Sequence, residues 1–202
     1  MTNFICQILE VQLPDTKIFP AINIQLGEGI TQLGGPNGSG KTTLLKAAAG
    51  ILPFTGDCSI RGNSLKRHPE KYKALLGYCP DEFLFSEKIT PREFFKFVMQ
   101  CFKLNNYDMI EEDIKKIGLS GHIDKPIEVL SYGNRKKALL IASCLHVPSL
   151  LLLDEPLNGL DQQGQVWLTE KITNKMQRST IFMVCHDKAW LNQFEHQQID
   201  LA

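Results

Sequence analysis

The chain has 202 residues, 22 Lys and Arg against 22 Asp and Glu, and 43% hydrophobic residues. That length fits one domain, or one domain with a subdomain, and is enough to bury a sizeable core. Zero net charge offers no global basic field for nucleic acid, no 18-residue apolar run suggests a membrane-crossing helix, and Met1-Thr2-Asn3-Phe4-Ile5-Cys6 lacks the layout of a signal peptide.

Residues 4 to 12 and 21 to 27 alternate apolar positions around a turn at Leu13-Pro14-Asp15, which predicts antiparallel strands. Ile30 to Leu33 reads as a short strand. It runs into Gly34-Gly35-Pro36-Asn37-Gly38-Ser39-Gly40-Lys41-Thr42-Thr43, and a helix follows to about Ala49. Gly35 to Thr42 fits G-x-x-x-x-G-K-[ST], a pattern in which each residue type has a physical task. The glycines let successive backbone N–H groups converge on one anion. Lys41 reaches the β- and γ-phosphates as a point charge, and the Thr42 hydroxyl can hold Mg²⁺. The helix behind the loop points its positive end at the same place. The bland alternative is a glycine-rich turn that binds nothing. The strand–loop–helix context argues for a nucleoside triphosphate site.

Gly50 and Pro53 end that helix, Asp57 to Arg61 reads as a strand closed by Gly62-Asn63, and Leu76 to Cys79 as another ended by Pro80. Composition changes at Asp81: six of the eleven phenylalanines lie between residues 83 and 102. Thr90-Pro91-Arg92-Glu93 carries a capping box with proline at the first helical position. Asp108 to Ile117 is a second helix, stopped by Gly118. The stretch of about 82–146 therefore reads as a helical subdomain inserted into an α/β core, with the phenylalanines as its own core. A groove for a partner helix is the sharper reading of those rings.

Leu130-Ser131-Tyr132-Gly133-Asn134 precedes a helix expected over about Arg135 to Leu145, with Arg135-Lys136-Lys137 expected on a solvated face. Its start offers a second cluster of backbone N–H groups beside Ser131, although a serine N-cap alone is common. The run Leu150 to Leu153 is all apolar, as in a parallel strand buried on both faces, and ends in Asp154-Glu155. In a protein with this loop, Asp154 at such a strand end holds Mg²⁺. Glu155, next along, can orient and deprotonate an attacking water. Asn158 to Asp161 turns into a helix over about 162–177. Thr180 to Cys185 is one more buried strand, which puts His186 at the carboxyl edge near the γ-phosphate. Residues 197–202 are expected to add a last strand. The six cysteines form no C-x-x-C pair and read as reduced core residues of a cytoplasmic protein.

At this point the sequence resembles the ATPase subunit of ATP-binding cassette (ABC) transporters, over nearly the whole chain and in motif order. Gly35, Pro36, Asn37, Gly38, Ser39, Gly40, Lys41 and Thr42 are similar to Walker A, and Thr43 beside them is expected to bind the nucleotide. Leu150 to Asp154 resembles Walker B, with Glu155 as catalytic glutamate, and Leu130 to Asn134 resembles the signature LSGGQ. Asn158 to Asp161 resembles the D-loop, and His186 the switch histidine. The resemblance implies a single ABC ATPase domain over 1–202. Its fold would be an α/β P-loop NTPase core with a mostly parallel sheet, an N-terminal antiparallel β-subdomain and the inserted helical subdomain.

The resemblance implies ATP and Mg²⁺ as cofactors, with Ser131, Gly133 and Asp161 adding to the nucleotide site. It implies a head-to-tail homodimer or heterodimer on the cytoplasmic face of a membrane, and integral membrane permease subunits as partners. The function implied is ATP hydrolysis driving transport. A nucleotide-dependent dimerising switch with weak hydrolysis is the alternative, and a chromosome or repair ATPase is set aside for want of coiled-coil heptads. The sequence departs from the family pattern in three places: the signature, the Q-loop and the adenine segment. Tyr132 replaces a glycine and Asn134 a glutamine in the signature. Asp81 stands where a Q-loop glutamine is expected, and as a carboxylate it is a candidate third metal ligand beside Thr42 and Asp154. Val11-Gln12-Leu13-Pro14 offers no aromatic to stack on adenine.

Overall fold

Two sheets are built on the strands β1 (Phe4–Val11), β2 (Ile22–Leu26), β3 (Gly29–Gly34), β4 (Phe54–Ile60), β5 (Asn63–Ser64), β6 (Leu76–Cys79), β7 (Leu150–Asp154), β8 (Thr180–Val184) and β9 (His196–Asp200). The helices are α1 (Lys41–Ala48), α2 (Pro69–Lys73), α3 (Pro91–Cys101), α4 (Asp108–Lys116), α5 (Tyr132–Cys144), α6 (Gln162–Glu170) and α7 (Lys188–Leu191). The computed structural model describes residues 2–11, 21–83, 88–175 and 178–201. The expected turn at Leu13-Pro14-Asp15 and most of the adenine segment lie outside those residues. The chain divides into two compact units, one of 1–78, 148–154 and 178–202, the other of 79–147 and 155–177.

In the first unit, β2-β1-β4-β5 form one sheet, antiparallel at each pairing, and β6-β7-β8-β3-β9 form the other. The pairs β7–β8, β8–β3 and β3–β9 are parallel. Strand β1 buries Phe4, Cys6 and Ile8 in alternation, as a strand with one covered face must. Strand β7 buries every residue from Leu150 to Asp154, which is the signature of a central strand covered on both faces. The two sheets share a core in which the rings of Phe4 and Phe182 lie 6.5 Å apart. Asn3 fastens them: its Nδ2 donates to Ser149 O at 2.9 Å and Thr180 Oγ1 at 2.8 Å. Beyond the expected strands, β4 begins at Phe54, and α2 forms behind Pro69 at a helix-starting position.

The second unit is helical. Thr90 and Glu93 close a reciprocal capping box at the start of α3, with Pro91 at the first position. Phe94 and Phe95 are buried and belong to this unit's core, whereas Phe97 on the same helix is exposed. Residues 155–177 join this unit because α6 packs on α4. Trp167 Nε1 donates to Asp113 Oδ1 at 3.0 Å, and Lys171 pairs with the same buried carboxylate. Helix α6 stops at Glu170 and passes into one π-helical turn, Lys171–Lys175, and the expected helix end at 176–177 lies outside the described residues. Helix α5 starts at Tyr132, three residues before the expected Arg135, because Ser131 takes the N-cap and accepts from Asn134 N at 3.3 Å. That start also corrects the expected solvated face, since Lys136 and Lys137 are buried.

Candidate functional site

In the first unit β3 delivers the chain into the loop from Gly35 to Gly40, and α1 leads it out. Gly35, Gly38 and Gly40 all hold positive φ, at 130°, 79° and 94°, a region closed to most side chains. Gly40 caps α1 without any side-chain hydrogen bond, so the first N–H groups of that helix have no side-chain cap. Lys41 is buried, and its Nζ donates to Gly35 O and Pro36 O, each at 2.9 Å. Ser39 Oγ is buried with no hydrogen-bond partner among the described residues. The loop thus presents a cation, a hydroxyl and amide donors, the donor set that an anion completes.

Asp154 ends β7 beside this loop. Its Oδ1 accepts from Thr42 Oγ1 at 3.2 Å, and the residue is 1% exposed. A buried carboxylate and a hydroxyl in contact are hard oxygen ligands suited to Mg²⁺. His186 follows β8 after one residue, Cys185, and is exposed, and Asp187 behind it caps α7 through Trp190 N. Gln32 on β3 donates to Cys185 O at 2.9 Å, which ties the end of β8 to the strand that feeds the loop.

In the second unit Glu155 opens the segment after β7 with φ 45°, an uncommon value for a residue with a side chain. Its carbonyl accepts from Asn158 N at 3.2 Å in the turn that follows. Asp161 caps α6 by accepting from Gly164 N and pairs with Lys137 Nζ at 2.7 Å. The Lys137 bond, then the Gly164 N–H, hold the Asp161 carboxyl below the usual carboxylate range. Ser131 lies exposed at the head of α5, and Gly133 meets the turn at Gly159, where a Cβ on Gly133 would come within 2.2 Å of Gly159 O. Asp81 accepts from Tyr132 Oη at 2.6 Å.

A family model described as ABC transporter matches residues 21–158. The chain belongs to the ABC transporter family. It is 31% identical over 180 residues to the zinc import ATP-binding protein ZnuC of Vibrio parahaemolyticus, which covers 88% of this chain and 64% of that protein. It is 29% identical over 169 residues to the cytochrome c biogenesis ATP-binding export protein CcmA of Pseudomonas fluorescens, over 83% of this chain and 80% of that one. The glucosylceramide transporter ABCA12 of Mus musculus is 31% identical over 176 residues, which are 7% of its length. The chain therefore spans under two thirds of the length of ABCA12 and of ZnuC. A solved ATP-binding subunit of an ABC transporter superposes with a TM-score of 0.88 at 22% identity, over 99% of this chain and 86% of that one. At that identity the likeness speaks for the fold, an α/β P-loop NTPase core as in ABC ATPase domains.

Within this ABC chain the sequence-predicted residues fall in two groups. Gly35 to Thr43, Asp154 and His186 belong to the first unit, and Asp81, Ser131, Gly133, Glu155 and Asp161 to the second. Sequence reading gave Lys136 and Lys137 no role beyond a solvated face and Asn158 none beyond the D-loop resemblance, yet each is bonded to a residue it had singled out. The available signal was helical spacing: Tyr132 and Lys136 stand four apart, one turn on one helix face.

Proposed function

We propose that this chain is the ATP-hydrolysing subunit of an ABC transporter, powering movement of a substrate through separate membrane-spanning subunits. The observation that carries the reading is the buried Lys41 ammonium, held by two loop carbonyls, beside a buried Ser39 hydroxyl that has no hydrogen-bond partner among the described residues. Lys41 would exchange those carbonyls for β- and γ-phosphate oxygens of ATP. The backbone N–H groups of Gly38 to Thr43 would cradle the remaining oxygens.

Thr42 and Asp154 would hold Mg²⁺, which when bound neutralises charge on the phosphates. Glu155 would take the proton of the attacking water, and His186 would orient the γ-phosphate. Ser131, Gly133 and Asp161 would serve the nucleotide of a second copy, paired head to tail. Asp81 is the third metal candidate of the sequence reading. Its Oδ1 already accepts from donors in its own unit, which favours Thr42 and Asp154 as the metal pair. No helix among the described residues is long and apolar enough to cross a membrane. Family membership, rather than that absence, supports a place on the cytoplasmic face of a membrane, docked to permease subunits.

The test uses two variants. Lys41→Ala should abolish ATP binding in a calorimetric titration, or nearly so. Glu155→Gln should bind ATP as the parent does and turn over about 10²–10⁴-fold more slowly, the usual worth of a positioned general base. Unchanged affinity in the first variant would remove the loop from nucleotide binding. Parental turnover in the second would remove Glu155 as the base.

A further inference from the structure

One carboxylate in the helical unit gathers three side-chain donors. Asp81 Oδ1 accepts from Tyr132 Oη at 2.6 Å, from Asn158 Nδ2 at 3.3 Å and from Lys136 Nζ at 3.4 Å. The Lys136 side chain is fully buried, and its Nζ also donates to Pro80 O at 3.0 Å. Lys136 stands one turn after Tyr132 on α5, so both reach the same side of the helix. The Tyr132 ring lies against Gly159, where an added Cβ would come within 2.4 Å of Tyr132 Cδ1. Residues 80–81, the head of α5 and the 158–159 turn therefore meet at Asp81.

The chemistry of the three donors calls for an anion. A buried ammonium is costly unless it is paired, and the Asp81 carboxylate gives Lys136 Nζ a negative charge at 3.4 Å. Tyr132 supplies the shortest of the three bonds. A phenol donating to a carboxylate is a charge-assisted bond, stronger than a neutral one. Burial and the Asp81 hydrogen bond both push the Tyr132 phenol above its ordinary value, so it stays protonated and donating. Asp81 and Tyr132 are two of the positions at which this sequence departs from the family pattern, and they are each other's partner.

We propose that Asp81 and Tyr132 act together as one positioning pair, which fixes Ser131 and Gly133 at the head of α5 against the 158–159 turn, and that Asp81 is not a metal ligand. For its kinetic consequence the proposal rests on the ATPase reading above. The loss of either member lets the head of α5 shift and slows turnover, while Lys41-based ATP binding in the other unit is untouched.

The experiment is a double-mutant cycle on the full chain with Tyr132→Phe, Asp81→Ala and the double variant. It is read by urea unfolding midpoints and by steady-state ATPase kinetics. Tyr132→Phe should lower the midpoint clearly in the parent and much less in the Asp81→Ala background, where the phenol keeps only the carbonyl of residue 81 at 3.2 Å. Tyr132→Phe, the milder change, keeps the cycle readable by kinetics if Asp81→Ala folds poorly. Each single variant should lower kcat by about ten- to a hundredfold, with calorimetric ATP affinity within about twofold of the parent at every Mg²⁺ concentration. Additive midpoints would overturn the pair. A shift in the Mg²⁺ dependence of ATP affinity for Asp81→Ala would overturn it too, returning Asp81 to the metal. A parent protein without ATPase activity would overturn the functional reading alone, since the midpoints decide the pair without ATP.

Discussion

Lys137 and Asp161 show how one side chain can serve two elements at once. Asp161 Oδ1 caps α6 through Gly164 N, and Oδ2 accepts from Lys137 of α5 at 2.7 Å. Both bonds favour the charged carboxylate, so its folded value is depressed. A depressed acid contributes stability above its unfolded value, near pH 4. That contribution is lost as pH falls through the folded value. Asp161 is well exposed, which keeps the gain modest. Asp161→Asn should therefore unfold at lower urea than the parent at about pH 7, with the gap between them closing as pH falls below about 4. A gap of constant size down to acid would mean that the Asp161 charge adds nothing to stability, since Asn caps a helix as well as Asp does.

Helices were legible in proportion to how local their causes are. The start of α3 is written in four consecutive residues, Thr90 to Glu93, and the capping box forms as that spacing predicts. Removing it with Thr90→Ala should cost about 1 kcal/mol, read as a drop in unfolding free energy with an unchanged denaturant slope. No change would mean that Glu93 and Pro91 start the helix without the Thr90 hydroxyl. Strands β7 and β8 were equally legible, because continuous apolar runs leave few alternatives. The head of α5 was not. Asn134 suited a loop as well as a helix, and the solvated reading of Lys136 and Lys137 failed because their counter-charges, Asp81 and Asp161, lie 55 and 24 residues away in sequence. Buried lysines are rare unless paired, and single-sequence periodicity cannot see a partner at that separation. The same limit applies to Tyr132 and Asp81, each readable as an isolated departure and neither as half of a contact.

At the scale of the whole molecule the question is what ATP does to assembly. The loop from Gly35 to Gly40 presents one set of anion donors, and the head of α5, with Ser131 exposed, presents another. In the head-to-tail pair proposed above, the nucleotide on one copy's loop would be met by Ser131 and Gly133 of the other. ATP would then act as part of the interface. Anything that binds the paired state in preference to the single one shifts the equilibrium by mass action, by about 2.7 kcal/mol at a hundred times its dissociation constant. Hydrolysis would withdraw that contribution and release the pair. Glu155→Gln, which keeps ATP intact, should therefore elute from gel filtration as a dimer with ATP and Mg²⁺, as a monomer without them, and in proportions that depend on protein concentration. Adding Ser131→Glu puts a negative charge where the partner's phosphate would sit. It should abolish the dimer while leaving calorimetric ATP affinity at the monomer's value. A dimer that forms without ATP, or one that survives Ser131→Glu, would mean that the copies associate through some other surface.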